Sequence, residues 1–494
     1  MNNLYKKLVN TIDKFKNDKS IFIYDYSTST KISYQNFYRE YKTLEDKITN
    51  LKDDNVYLLN VSNNIKSILL IIAFTLSKKK IILKEEKSSL KNFNFKEIKI
   101  PLVNVSINNN YKIFFSKIYE DRLKDKNFDI LIISSGSTGK GKIVKLNLDK
   151  ALINSLNMGF ELGFKPNNIH LMVMPIYHVN SLFLSIFSTF LFRQKLIIDS
   201  NFSIVNFWHI VKKFKIKSTS LSPTIVKYLN LTNLKKKNST LKKVVCASSF
   251  LLKEDYYEFY KKFKISIIQG YGLSEATNFS TIMPSNVKLR KKINSYFNTE
   301  KYITIGHSVK DNNLRILHKN KFINKEKIIG EILISGKFLY NGYFGKRKSI
   351  LKYIRTGDLG FYRFYNKKKY YFITSRIKEI IKFKDHTIYP IDIENFINKY
   401  LKTTIDFFCF GLTKGNLEYI GCAIDRKNFT SGIKKKLLNM LFEKKYEYLP
   451  ENFFIMDLKK FKTKTLKPKR NYLSNYINKK FKKKMLEDKF IDIK

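Results

Sequence analysis

Short β-branched runs, separated by longer amphipathic stretches, recur through roughly the first 270 residues of the chain. Val56–Val61, Ile81–Leu83, Ile130–Ile133, Leu171–Met174, Leu196–Ile198, Val244–Val245 and Ile265–Ile268 have the length and composition of buried strands. Segments with helical spacing, such as Ser33–Lys52 and Ile204–Phe214, lie between them. This alternation predicts an α/β fold of layers with largely parallel sheets. After Gly306 the texture changes to short runs with turns, as in Gly330–Ser335, which suits a small antiparallel or barrel-like unit. A chain of 494 residues is too long for one compact core, so two or more domains are expected.

Charge and cysteine content exclude several classes. The formal net charge of +53 invites a nucleic-acid reading, because lysine-rich surfaces bind polyphosphates through counterion release. The lysines are spread along the whole chain, however, together with abundant Asn, Ile, Phe and Tyr, and this points to a compositional bias with no specific nucleic-acid partner. Cys246, Cys409 and Cys422 lack paired spacing, so neither a disulfide framework nor a zinc site is implied. The start MNNLYKKLVNTIDKF has no signal-peptide core. The apolar runs Ser67–Ser77 and Ser181–Phe192 fall well short of the roughly 20 residues that cross a bilayer, and they read as buried helices or strands. A soluble, cytoplasmic protein without a transmembrane segment is expected; peripheral membrane contact and oligomeric state stay open.

The chain has only 18 glycines, yet Gly136, Gly139 and Gly141 crowd into SSGSTGKGK directly after the apolar run Ile130–Ile133. Glycines let backbone N–H groups turn toward an anion, Ser134, Ser135, Ser137 and Thr138 add hydroxyls, and Lys140 and Lys142 add charge. This is phosphate-binding chemistry. Gly136 to Lys142 fits the Walker spacing, but Ile143 stands where a Ser or Thr should ligate Mg²⁺.

The loop resembles that of the acyl-adenylate-forming enzymes, the superfamily of acyl-CoA synthetases, fatty-acyl-AMP ligases and AMP-dependent synthetases and ligases. Further segments resemble that family in order: MPIYHVNSL at Met174–Leu182, STSLSPTIVKYL from Ser218, VVCASSFL at Val244–Leu251, QGYGLSEAT at Gln269–Thr277 and GEILISGKFLYNGYF leading into YIRTGDLGFY. SRIKEIIKFKDHTIYPIDIEN at Ser375–Asn395 and KKFKTKTLKPKR complete the series. The resemblance covers about residues 10 to 480. It implies a large N-terminal domain, 1–374, of parallel-rich sheets with helices and a barrel-like subdomain, followed by a small mobile α+β C-terminal domain, 375–494.

The resemblance also implies site residues. Ser134, Ser135, Gly136, Ser137, Thr138, Gly139 and Lys142 would hold phosphates. His178, Ala247 and Ser248 would line the acyl and adenine pockets. Tyr271 offers adenine a flat face, Gly272 permits close approach, Ser274 donates to the α-phosphate and Glu275 ligates Mg²⁺, a metal that needs one or two carboxylates beside phosphate oxygens. Asp358 would accept the ribose hydroxyls, Arg376 would contact ribose or phosphate, and Lys378 would be the hinge. Lys467, with Arg470 behind it, would be the mobile catalytic cation.

The implied activity is ATP- and Mg²⁺-dependent conversion of a carboxylic acid, expected to be a fatty acid, to acyl-AMP, and then transfer to CoA. An acyl carrier protein bearing phosphopantetheine is the alternative acceptor, favoured by Asp385 where CoA ligases have Gly. The absence of an FDxS-like segment near Pro175 argues against amino-acid activation. Family glycines are missing at Ile143, Ala247, Ser375, Asp385 and Leu466. These losses leave a non-catalytic nucleotide-binding relic as the reading of a different class.

Overall fold

The computed structural model describes residues 2–86, 101–119, 123, 126–134, 142–232, 240–345, 352–383, 386–402, 405–414, 417–443, 446–463, 468–481 and 488–493. The β-branched runs form two parallel-rich sheets. In one, Val56–Val61 pairs in parallel with Lys80–Glu85, which pairs in parallel with Ile130–Ser134. In the other, Ile21–Asp25, Lys195–Ile198, Ile169–Met172, Ser218–Leu221, Lys243–Cys246 and Ile268–Gly272 run parallel side by side.

Helix Ile65–Leu76 is apolar all round and buried along its length, because it lies between the sheets in one core with Ile23 and Leu59. Its first turn is capped by the Asn64 side chain, which accepts from Ser67 N–H. Ser33 caps Tyr34–Thr49 in the same way, and Ser222 caps Pro223–Leu231, where Pro223 needs no donor at the first helical position.

Two boundaries differ from the sequence reading. The run Ile265–Ile268 enters its sheet only at Ile268. Lys264 ends the preceding helix at φ 55°, and Ile265 and Ile267 drop into the core before the ladder begins. Conversely, Leu171–Met174 leaves its sheet after Met172, where the chain turns toward the cleft described below. The antiparallel pair Leu102–Ile107 and Ile113–Tyr119 carried no clear signal in the sequence.

From Asn312 to Arg376 the strands are antiparallel, as expected, whereas the C-terminal sheet is mixed, with Asn452–Met456 parallel to both of its neighbours. Asn312–His318, Gly330–Gly336, Ile354–Tyr365 and Lys368–Arg376 form a consecutive ladder. Residues from Ile381 onward bury two cores of their own on a sheet of Phe407–Lys414, Leu417–Asp425, Asn452–Met456 and Phe490–Asp492. Strand alternation sends Phe407 and Cys409 to one face, under helices Pro390–Leu401 and Ser431–Glu443. Phe408 and Phe410 go to the other face, under Arg470–Lys480.

This lobe is tied to the rest of the chain by polar contacts. Tyr302 Oη donates to Asp392 at 2.9 Å, Lys301 pairs with Asp392 at 2.6 Å, and Tyr228 Oη donates to Asp406 at 3.1 Å. Among the described residues no helix is long and apolar enough to cross a membrane.

Candidate functional site

Two cavities with shared lining residues lie where the sheets, the antiparallel ladder and the C-terminal lobe meet. The larger, about 670 Å³, is lined by Ser134, Lys142, His178, Ala247, Ser248, Gly272, Ser274, Glu275, Arg376 and Lys378. The smaller, about 200 Å³, is lined by Tyr271, Asp358 and Arg470 among others, and shares Ser248, Gly272, Arg376 and Glu379 with the first. Segments spanning most of the chain therefore converge on one place. Ser135, Gly136, Ser137, Thr138, Gly139, Lys140, Gly141, Asp385, Leu466 and Lys467 lie outside the described residues.

Strands Ile130–Ser134 and Lys142–Leu146 pair antiparallel down to Ser134↔Lys142. The glycine-rich segment thus joins two hairpin strands, whereas a Walker loop would pass from strand to helix. Ser134 Oγ donates to the Lys142 carbonyl at 3.2 Å, so this hydroxyl holds the hairpin neck. Asn341–Phe344 is stitched alongside, with Lys145 N–H donating to Gly342 O at 3.0 Å and Phe344 N–H to Ile143 O at 2.8 Å. That brings Tyr343 under Lys142, whose Nζ lies 4.7 Å from the ring centroid. Tyr343 Oη donates to Glu275 Oε1 at 2.8 Å. Glu275 and Lys142 line the same cavity, and among the described residues no cluster of three metal-ligating side chains occurs. A Mg²⁺ taking one carboxylate and phosphate oxygens fits such a place; a metal caged by protein alone does not.

Glu275 follows a turn with little freedom. A Cβ on Gly272 would sit 1.6 Å from the carbonyl oxygen of Asn278, so the close approach expected at this glycine is made by its own chain. Ser274 opens the short 3-10 turn Ser274–Ala276 without capping it. Thr277 then adopts φ 70°, and Ser248 adopts φ 82°. Non-glycine residues rarely take this region, and two of them lie at or beside one cavity wall.

Asp358 and Arg376 sit opposite each other on neighbouring antiparallel strands. Their register explains the ion pair from Arg376 Nε to Asp358 Oδ1 at 2.9 Å. Tyr271 Oη donates to the other oxygen, Oδ2, at 2.7 Å. Asp358 is 3 % exposed, so this pairing is what makes a buried carboxylate tolerable. Burial, then the neighbouring Asp358 charge, pushes the Tyr271 phenol far up, and the Asp358 charge raises Arg376.

His178 lies just before the π-helical turn Ser181–Ser188, a wide helix type that often marks functional sites. Its Nε2 is buried without a partner among the described residues, and burial lowers its pKa to about 4. Lys378 is on the short turn Ile377–Glu379 at the lobe boundary. Arg470 pins that turn, donating to Glu379 at 2.9 Å and to Glu394 at 2.8 Å. On either side of Lys467, Lys462 and Pro468 form a β-bridge, and both line the smaller cavity.

The AMP-binding enzyme family matches residues 60–344. The chain belongs to this family. Among curated relatives of this AMP-binding enzyme, 4-coumarate–CoA ligase-like 9 of Arabidopsis thaliana is 24% identical over 284 residues, covering 54% of this chain and 48% of that protein. The 2-succinylbenzoate–CoA ligase of Staphylococcus epidermidis is 24% identical over 405 residues, covering 77% and 80%. The chain spans about half the length of the first of these. ATP-bound MatB of Rhodopseudomonas palustris superposes with a TM-score of 0.79 at 16% identity, over 97% of this chain and 100% of that one, which shows a shared fold.

Tyr343, Tyr340, Asn180, Asn278 and Glu331 also line the larger cavity. The sequence reading gave them no role, and no spacing in the sequence separates them from other polar or aromatic residues.

Proposed function

We propose that this chain activates a carboxylic acid with ATP and then passes the acyl group to CoA. In the first step a carboxylate oxygen attacks the α-phosphorus. A P–O bond forms, the bond to the bridging oxygen breaks, and pyrophosphate leaves. In the second, a thiolate sulfur attacks the acyl carbon and AMP departs with the C–O bond electrons. The observation that carries this reading is the convergence of Lys142, Glu275 and the paired Asp358 and Arg376, from three distant parts of the chain, on two cavities that share lining residues.

Thr138 and Lys142 would hold the β- and γ-phosphates, with Ser134, Ser135, Gly136, Ser137 and Gly139 around them. Tyr271, Gly272 and Ser274 would seat adenine and the α-phosphate, and Asp358 with Arg376 the ribose. Mg²⁺ at Glu275 would neutralise phosphate charge. Lys467 would approach both reacting groups as a cation, stabilising charge that builds on the phosphoryl oxygens. The division into 1–374 and 375–494, with Lys378 as hinge, would let the smaller domain withdraw Lys467 before thiol transfer.

Three of the five missing family glycines bear on the relic reading. Ile143, Ala247 and Ser375 all avoid the left-handed region, so their backbones ask nothing that only glycine provides. This favours a working enzyme. ATP–pyrophosphate exchange across an acid panel is the test: exchange with some acid, abolished in Lys467→Ala, upholds the proposal, and ATP binding without exchange for any acid refutes it. CoA or a carrier protein is then added to identify the acceptor.

A further inference from the structure

We infer that the acid activated here is short and carries a neutral hydrogen-bond acceptor (a hydroxyl or ketone oxygen) on its tail. This rests on the acyl-activation reading above and narrows it, away from the fatty acid that the sequence suggested.

The depth of the cleft sets the length. Gly270 and Gly272 alternate on one face of strand Ile268–Gly272, and the Phe279 ring lies across the first of them. A Cβ at Gly270 would meet Phe279 Cε1 at 2.5 Å. Phe279 lines the cleft, is 1 % exposed, and belongs to one packed core with Met158, Leu184, Val245 and Ile282. Among the described residues, that packed core stands directly behind the ring.

The donors set the chemistry. Asn180 and Asn278 line the same cleft and are 6 % and 4 % exposed. Ser220 Oγ donates to Asn180 Oδ1 at 2.8 Å, which fixes the amide so that its Nδ2 is the free end. Asn278 Nδ2 is buried with no partner among the described residues, and so is His178 Nε2, which donates in one neutral tautomer and accepts in the other. Unpaired buried N–H groups are costly, so a tail oxygen that accepts from them is favoured and a methyl in its place is penalised. Sites built to hydrogen-bond a substrate reject the analogue that lacks the group by far more than a missing methylene costs.

The tail is neutral because none of these donors carries charge. Burial keeps His178 deprotonated at neutral pH. The cleft arginines are already paired, Arg376 with Asp358 and Arg355 with Glu331, and Lys142 lies over Tyr343 beside Glu275. The remaining cleft lysine, Lys378, is on the turn Ile377–Glu379 at the lobe boundary, so a second carboxylate among Asn180, Asn278 and His178 would meet only neutral side chains there.

The test is ATP–pyrophosphate exchange by the full chain on matched acids: 3-hydroxybutyrate against 3-methylbutyrate, and 4-oxopentanoate against 4-methylpentanoate, with succinate and octanoate as further arms. The expected kcat/KM favours each oxygen-bearing acid by at least about tenfold. Asn180→Asp keeps the oxygen that receives Ser220 but removes the amide donor, and it should lower that ratio at least about tenfold. Phe279→Ala should raise kcat/KM for octanoate relative to wild type. A wild-type ratio under tenfold, or a preference for octanoate or succinate, overturns this inference while leaving acyl activation standing. Exchange with none of the acids, despite ATP binding by calorimetry, overturns both.

Discussion

At the end of the site proposed for ribose, Asp358 sits between Arg376 and Tyr271, and Glu331 pairs with Arg355. At the end proposed for the acyl group, Asn180, Asn278 and His178 line the cleft, and Asn278 Nδ2 and His178 Nε2 are without partners among the described residues. Paired charges keep their geometry whether or not a ligand is bound, because each ion's desolvation is offset within the protein. Unpaired neutral donors do the opposite: they leave a cost that a matching ligand removes. One end is therefore organised by the fold and the other is completed by its substrate.

The turn through Gly272 joins both ends, and breaking it should hurt most. Gly272→Ala places a methyl 1.6 Å from the Asn278 carbonyl oxygen. A loss of about 3 kcal/mol in urea unfolding is expected, with exchange activity gone. Normal stability would mean that the two ends are not rigidly linked.

Asp358→Ala should come next. It strands a guanidinium and a buried phenol, and because Arg376 keeps 33% exposure the cost is put at about 2 kcal/mol. Exchange should fall at least about a hundredfold, as expected where a charged ligand contact is lost. Equal damage from Asp358→Asn and Asp358→Ala would point to charge; a milder Asn variant would point to hydrogen bonding.

His178 supplies a pH signature for the acyl end. Its folded pKa of about 4 lies below the 6.5 of a free imidazole, so between those limits the unfolded chain takes up a proton that the native state refuses. Stability should therefore fall as pH drops from about 6.5 toward 4, with one such proton giving a slope of about 1.4 kcal/mol per pH unit. His178→Leu should take about 1.4 kcal/mol per pH unit off that acid slope, measured by urea melts at several pH values, and leave the share of His170, which burial lowers to about 3. An unchanged slope would place the titration elsewhere.

The smallest effect is the most telling for the contrast. Asn278→Leu removes an amide donor that has no described partner, so folding stability should change by less than about 1 kcal/mol in either direction. A loss as large as that of Asp358→Ala would show that Asn278 is structural and that the acyl end is as self-paired as the ribose end.

Much of this was legible beforehand, unevenly. The β-branched runs marked the parallel strands because apolar, stiff side chains suit a sheet buried on both faces, and Val56–Val61 lies within one residue of its expected bounds or better. YGLSEAT marked a cavity wall, with Gly272, Ser274 and Glu275 in the lining, while most of the hydroxyl- and glycine-rich segment lies outside the described residues. The expected strand at Ile265 began late because a left-handed helix end at Lys264 redirected the chain, which apolar character alone does not reveal.

Sequence by itself determined which chemical groups this protein carries, the family to which it belongs and the order of its layers, since those follow from local composition and motif order. Tertiary structure alone decided which groups are already spent on one another. That Asp358 faces Arg376, that Ser220 orients Asn180 and that Phe279 covers Gly270 are facts of register and packing between separate segments. No periodicity encodes them, because a hydrogen bond is satisfied by distance in space and not by spacing along the chain.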